Sequence, residues 1–157
     1  HSTTGSSSVT SNWYHVVYVI DPATDTLTLY VDGVAEITNS YTSSEQYHHN
    51  DGGDYTRYWE VGSISRANLS HNFAGFMDDL IMWDTALTSA EVATLYNGGT
   101  FGVLPTTVQE DNVRAYYDFD NATSGSVPDE SGNGYNSSTT SNIEIQNATF
   151  NTTYTTY

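Results

Sequence analysis

At 157 residues the chain is long enough for one domain with a core of its own. Lys and Arg total three against nineteen Asp and Glu, a formal net charge of -16, so a nucleic acid or an anionic membrane surface is repelled rather than bound. There is no cysteine, which excludes disulfides and thiolate metal sites, and no apolar run reaches membrane-spanning length. Such acidity suits Ca²⁺ ligation, solubility at high salt or plain self-repulsion. Thirteen tyrosines, five phenylalanines and three tryptophans, set among many Ser and Thr, favour an all-β protein rich in turns over a helical one. The sequence opens on His1 without a signal peptide, the pattern of a processed protein or of a stretch cut from a longer one.

After a polar lead-in, "WYHVVYVI" over 13–20 reads as a strand ended by "DPATD". "TLTLYV" over 26–31 alternates, which predicts Leu27, Leu29 and Val31 on one face. Asp32-Gly33 is a tight hairpin turn and "VAEIT" returns, so 13–38 is expected to form a three-stranded meander. Residues 41–56 read as a loop, "RYWEVG" over 57–62 as a short strand and "FAGFMDDLIMWD" over 73–84 as a longer one. "TSAEVATLYNGG" then has the punctuation of a helix. Thr88 and Glu91 form a capping box, Val92 and Leu95 face inward, and Asn97-Gly98-Gly99 stops it. Residues 100–112, with Pro105 and little periodicity, are expected to be a linker. "VRAYYDFD" from Val113 reads as a strand, a Gly/Asp/Asn loop follows, and 143–157 has room for one or two more strands. Trp13, Tyr18, Leu27, Leu29, Phe76, Leu80, Met82 and Trp83 are the candidates for the core or its edges.

Four of these segments carry a resemblance. The Trp-x-His-Val strand, the Leu-Tyr-Val-Asp-Gly hairpin, the Gly-x-x-Asp-Asp strand and the "Leu-Thr-x-x-Glu-Val" helix occur here in order between Trp13 and Gly99. Together they resemble the second half of a laminin-G-like, concanavalin A-like jelly roll. The resemblance implies an antiparallel β-sandwich of two sheets with one short helix. "AYYDFDNATSGSVPDESGNGYN" resembles the family's opening strand and its Asp-x-Ser-Gly-Asn-Gly loop, yet here it follows the other half instead of preceding it. The family's central strands have no clear counterpart. The sequence therefore divides into a main jelly-roll portion (1–99), a linker (100–112) and a strand segment (113–157) that completes the same or a neighbouring jelly roll. Three arrangements stay open: a circularly permuted closed domain, a window from tandem repeats, and a subunit that donates its tail to the next.

Asp118, Asp120, Asp129 and Asn133 fall in one Gly-rich loop region, a supply of hard oxygen donors for Ca²⁺. The resembled family often holds a structural Ca²⁺ there, and implies that Asp78 or Asp79 reaches it. Against this stands ordinary turn chemistry, since Asp, Asn and Gly build loops without any metal. Adjacent His48 and His49 would point to opposite faces of a strand, so a solvated loop is the plainer reading for them. Tyr47, Tyr55, Tyr58 and Trp59 are candidates for stacking on sugar rings, although aromatic side chains in a β-sandwich more often belong to its core. Asn68, Asn121, Asn136, Asn147 and Asn151 lie in Asn-x-Ser/Thr sequons, several of which arise by chance in so Ser- and Thr-rich a sequence.

Catalysis has little support. The Glu-x-Asp-x-x-Glu pattern of glycosidases with this fold is absent, Asp78 and Asp79 are sequence neighbours whose side chains diverge on a strand, and His15 has no evident nucleophile beside it. The expectation is therefore a non-enzymatic extracellular structural subunit or repeat, whose partners are neighbouring copies of itself. The alternative is a Ca²⁺-dependent module that binds carbohydrate or mediates adhesion.

Overall fold

The computed structural model describes residues 12–40, 75–97, 108–123 and 126–138. They belong to two compact units. One runs to Phe76 and adds Thr85–Glu110; the other joins Met77–Asp84 to the residues from Asp111 onward. Strands paired in antiparallel sheets dominate, with one short helix, as a concanavalin A-like β-sandwich requires.

The first unit is built on the expected meander: β1 (Val16–Asp21), β2 (Thr26–Val31) and β3 (Val34–Ser40), in the order β1-β2-β3. Its two turns are made by aspartates. At the first, the Asp21 carboxylate accepts the Ala23 N–H at 2.8 Å and the Thr24 hydroxyl at 2.8 Å. At the second, Asp32 and Gly33 both take positive φ, 50° and 77°, the turn whose twist matches that of its strands. Asp32 also ties down the residue before β1. Its N–H donates to the His15 carbonyl at 2.8 Å, and its carboxylate accepts the His15 N–H at 2.9 Å.

Helix α1 (Ser89–Tyr96) starts and stops as the sequence predicts. The Glu91 N–H donates to the Thr88 hydroxyl, the Glu91 carboxylate accepts the Thr88 N–H at 2.7 Å, and Asn97 closes the helix at φ 44°. Val92 is fully buried, and Leu87 and Val108 are buried with it. The last turn of α1 meets the hairpin. A Cβ placed on Gly33 would stand 3.1 Å from the Tyr96 ring, and His15 packs against the same ring at 5.9 Å between centroids.

Three expectations change here. The alternation over 26–31 puts Leu27, Leu29 and Val31 on one face, with Leu27 and Leu29 as core candidates. In fact Leu27, Thr28 and Tyr30 are buried, while Leu29 and Val31 are half-buried. Buried residues thus lie on both faces of β2, and the pairing with β3 shifts at Leu29/Tyr30. The Thr28 hydroxyl is satisfied by that of Thr38 at 3.2 Å. Of the other core candidates in this unit, Tyr18 is 46% and Phe76 65% exposed, so both lie at the surface. The end of the expected linker is also folded. Val108 is buried, the Gln109 amide donates to Glu91 at 2.7 Å, and Glu110–Asn112 is a 3-10 turn.

The second unit pairs β4 (Leu80–Trp83) antiparallel with β5 (Val113–Tyr117), in the register Leu80↔Tyr117, Ile81↔Tyr116 and Met82↔Ala115. Here β4 is far shorter than the stretch 73–84 suggests. Asp79 sits at φ 51°, in the left-handed region, so the extended backbone begins only at Leu80. A small pair, β6 (Ser126–Val127) with β7 (Ser137–Ser138), follows. Among its described residues Ala115, Tyr116 and Val127 are the buried apolar ones. The strands expected at 57–62 and within 143–157 lie outside the described residues. No described helix is long and apolar enough to cross a membrane.

Two local devices can be tested by urea unfolding followed by tryptophan fluorescence. Gly33→Val is expected to cost at least about 1–2 kcal/mol from its φ alone, before the collision with Tyr96 is counted. Thr88→Ala is expected to cost about 1 kcal/mol through loss of the cap. A Gly33→Val variant as stable as the parent would show that the hairpin turn does not rest on Tyr96.

Candidate functional site

The densest polar arrangement lies in the second unit, around β5. Alternation along Val113–Tyr117 sends neighbouring side chains to opposite faces. Tyr116 is buried, and its hydroxyl donates to the Asp79 carboxylate at 2.6 Å. Burial, then the Asp79 hydrogen bond and the charges of Asp79, Asp118 and Asp78, push its phenol well above the ordinary tyrosine range. Asp78 shares this field. Burial first, then Asp79, Asp120 and Asp118, raise its carboxyl, against the opposing effect of the Asp79 N–H that it accepts at 3.1 Å. Asp118 folds its own turn by accepting the Asp120 N–H at 3.1 Å, and Phe119 between them lies at φ 58°.

Asp129 does a different job. One carboxylate oxygen accepts the N–H groups of Tyr116 and Ser131, each at 3.0 Å, and the other accepts that of Tyr135 at 2.9 Å. Burial alone would raise its pKa. The hydrogen bonds from Ser131, Tyr116 and Tyr135 outweigh burial and hold the carboxyl at about 2. Around this hub the loop is fastened to β5. The Asn133 amide donates to the carbonyls of Val113 at 2.9 Å and Arg114 at 3.1 Å. The Glu130 N–H donates to the Tyr116 carbonyl at 2.8 Å, and the Tyr117 hydroxyl to that of Tyr135 at 2.6 Å. The Arg114 guanidinium lies 4.3 Å from the centre of the Tyr135 ring and 3.7 Å from Asp84.

The six residues expected to hold Ca²⁺ therefore separate. Asp78, Asp79, Asp118 and Asp120 share an electrostatic neighbourhood around the Tyr116 phenol. Asp129 and Asn133 are taken up in shaping the loop. Among the described residues no three acidic or histidine side chains converge as a metal site. Of the sequons, Asn121 and Asn136 are exposed, and the Asn136 side-chain oxygen accepts the Asp129 N–H at 2.9 Å. Asn68, Asn147 and Asn151, the aromatic set Tyr47, Tyr55, Tyr58 and Trp59, and the pair His48 and His49 all lie outside the described residues. His15 packs on Tyr96, as its place in a strand-forming run suggests. Its buried Nδ1 meets no hydrogen-bond partner among the described residues, and burial lowers its pKa despite the nearby Asp32.

Sequence reading missed Tyr116 and the Asp129 hub. Nothing local marks the phenol, whose partner lies 37 positions away. Ser131 and Tyr135, close behind Asp129, follow the pattern of an Asx-type loop, and that signal was available.

The two carboxyls respond to acid with opposite signs. The folded pKa of Asp129 is depressed, so its stabilisation is complete above the ordinary value of 3.8 and is lost as pH falls towards about 2. Asp129→Asn is expected to be less stable than the parent at neutral pH, with the gap closing across that window in urea melts. The folded pKa of Asp78 is raised, so its ionisation opposes folding at neutral pH. Asp78→Asn keeps the acceptor for the Asp79 N–H and is expected to melt higher than the parent at pH 7 without divalent cations. If Ca²⁺ occupies this neighbourhood, adding it will raise the parent's melting temperature and leave that of Asp78→Asn behind.

Comparison with known proteins gives the first part of the sequence a family. Residues 1–93 match the family model described as the concanavalin A-like lectin/glucanases superfamily. The match ends before β5, so the segment from Val113 onward stands outside it. No curated protein matches the sequence. Among solved structures, an S-layer domain-containing protein from Clostridium thermocellum (residues 221–444) is similar at 24% identity and a TM-score of 0.40. The match covers 59% of this protein and 43% of that one, so it spans less than half of that structure's length. With more than half of its residues under the family model, this protein belongs to the concanavalin A-like lectin/glucanase superfamily.

Proposed function

We propose that this protein is a non-enzymatic structural module displayed outside the cell, which joins neighbouring copies of itself by strand complementation. The observation behind this reading is the β4–β5 pair. Its strands come from residues 80–83 and 113–117, on either side of α1, and together they make a two-stranded sheet. A pair of that size is marginal alone and depends on further cover. The late segment that supplies β5 also resembles the family's opening strand. An exchanged pair has the same hydrogen bonds as a pair closed within one molecule, and only the connecting path differs. Residues 98–107, if extended, span about 33 Å, enough for one copy to pass its β5 to the next. The sequons and the lysine-free acidic composition suit an outer surface, and the glycosidase pattern is missing from the sequence.

The alternative, a Ca²⁺-dependent sugar-binding module, draws on the crowded carboxylates around Asp78. Specific hits from the monomer on a glycan array, lost with a chelator, would favour it.

Because the protein has no cysteine, one engineered pair tests the first reading directly. Met82 and Ala115 face each other across β4 and β5, where Cα atoms stand about 4.5–5.5 Å apart, within disulfide reach. The oxidised Met82→Cys/Ala115→Cys variant is expected to run as a ladder of oligomers on non-reducing gels. A cross-linked monomer as the sole product at every concentration would end the proposal.

A further inference from the structure

We infer that Asn133-Gly134 is a site of spontaneous succinimide formation, gated by the docking of its loop on β5. Asn133 is followed by a glycine and is exposed to water. A Cβ placed on Gly134 would meet nothing within 4 Å, so the loop is open on the side-chain face of this residue, and a glycine there adds no side chain to hinder ring closure. That nitrogen attacks the carbonyl carbon of the Asn133 amide group. A ring C–N bond forms, the C–N bond of that amide breaks, and ammonia leaves carrying the displaced nitrogen and the proton lost by the Gly134 N–H. Water then opens the ring at either carbonyl, giving aspartate or isoaspartate. The sum is amide plus water to carboxylic acid plus ammonia, with no oxidant or reductant.

The fold holds this reaction back. The nitrogen that must depart is the one donating to the Val113 and Arg114 carbonyls at 2.9 and 3.1 Å. Both bonds must break before the Asn133 amide turns to meet the Gly134 nitrogen, so ring closure follows release of the loop. The product cannot return. A carboxylate has no N–H to give, and it faces two carbonyl oxygens with its own negative charge. Release of the loop, once fixed by this chemistry, is one-way. The loop contains the Asp129 hub and Asn136, so the change loosens the surface next to the β4–β5 pair.

The test uses the intact protein aged at mildly alkaline pH, with peptide mapping and isoaspartate detection. Deamidation is expected at Asn133, slower than in the same protein held in urea by about tenfold or more, the factor that two ordinary hydrogen bonds supply. Hydrogen exchange at the Ser131 and Tyr135 amides is expected to speed up in the aged protein and equally in Asn133→Asp. Equal rates folded and unfolded would overturn the gating. An intact Asn133 in the folded protein, after the urea sample has fully reacted, would overturn the site. Unchanged exchange in Asn133→Asp would overturn the consequence for the loop.

Discussion

Nineteen carboxylates share three arginines in this protein, and a single ion pair cannot be offered to most of them. The fold resolves that shortage by giving carboxylates backbone N–H groups as partners. Asp21 takes Ala23, Asp32 takes His15, Glu91 takes Thr88 and Asp118 takes Asp120. Asp129 takes three at once. A hydrogen bond in which the acceptor is ionised is shorter and stronger than a neutral one. The two hairpin turns, both ends of α1 and the loops after β5 are closed by one of these bonds or by a left-handed Asp, Asn or Gly. The negative charge that would otherwise only repel itself thus becomes the material of the loops.

The same constraint shapes how such a module could meet its neighbours. With so large a net charge, copies repel at a distance and attract only where strands or apolar side chains touch. Val16 and Val34 are well exposed and lie in one cross-strand row with Val31 between them. Such rows, and the pairing of β4 with β5, act at contact range and set a register. Long-range charge would then suppress disordered clumping and leave ordered contact as the route to association. Salt, by screening the repulsion, would help assembly without taking part in it.

What could be read from the sequence follows the distance between partners. The Asp32-Gly33 turn, the Thr88/Glu91 cap and the Asn97 stop involve residues within a few positions, and each occurs as expected. The meander was legible because its turns were. Burial along β2 was not, since alternation assumes one wet face and β2 has buried residues on both. The start of β4 was misplaced because nothing in "FMDDLIMW" announces that Asp79 turns left-handed. The candidate metal residues were chosen by type. Geometry then separated Asp129 and Asn133, whose partners include backbone groups of β5, from the four aspartates near Tyr116. No reading of one loop shows which strand it will lie on.

The position of Arg114 carries a last consequence. Trypsin-like proteases cut after Lys or Arg, and among the described residues Arg114 is the sole such handle. It sits within β5, with its guanidinium laid over Tyr135 and turned towards Asp84. A protease needs an extended, unpaired substrate, and this one is engaged on its backbone and at its side chain alike. Cleavage after Arg114 is held back by the very strand on which the second unit is built, so digestion at this point reports the opening of β5.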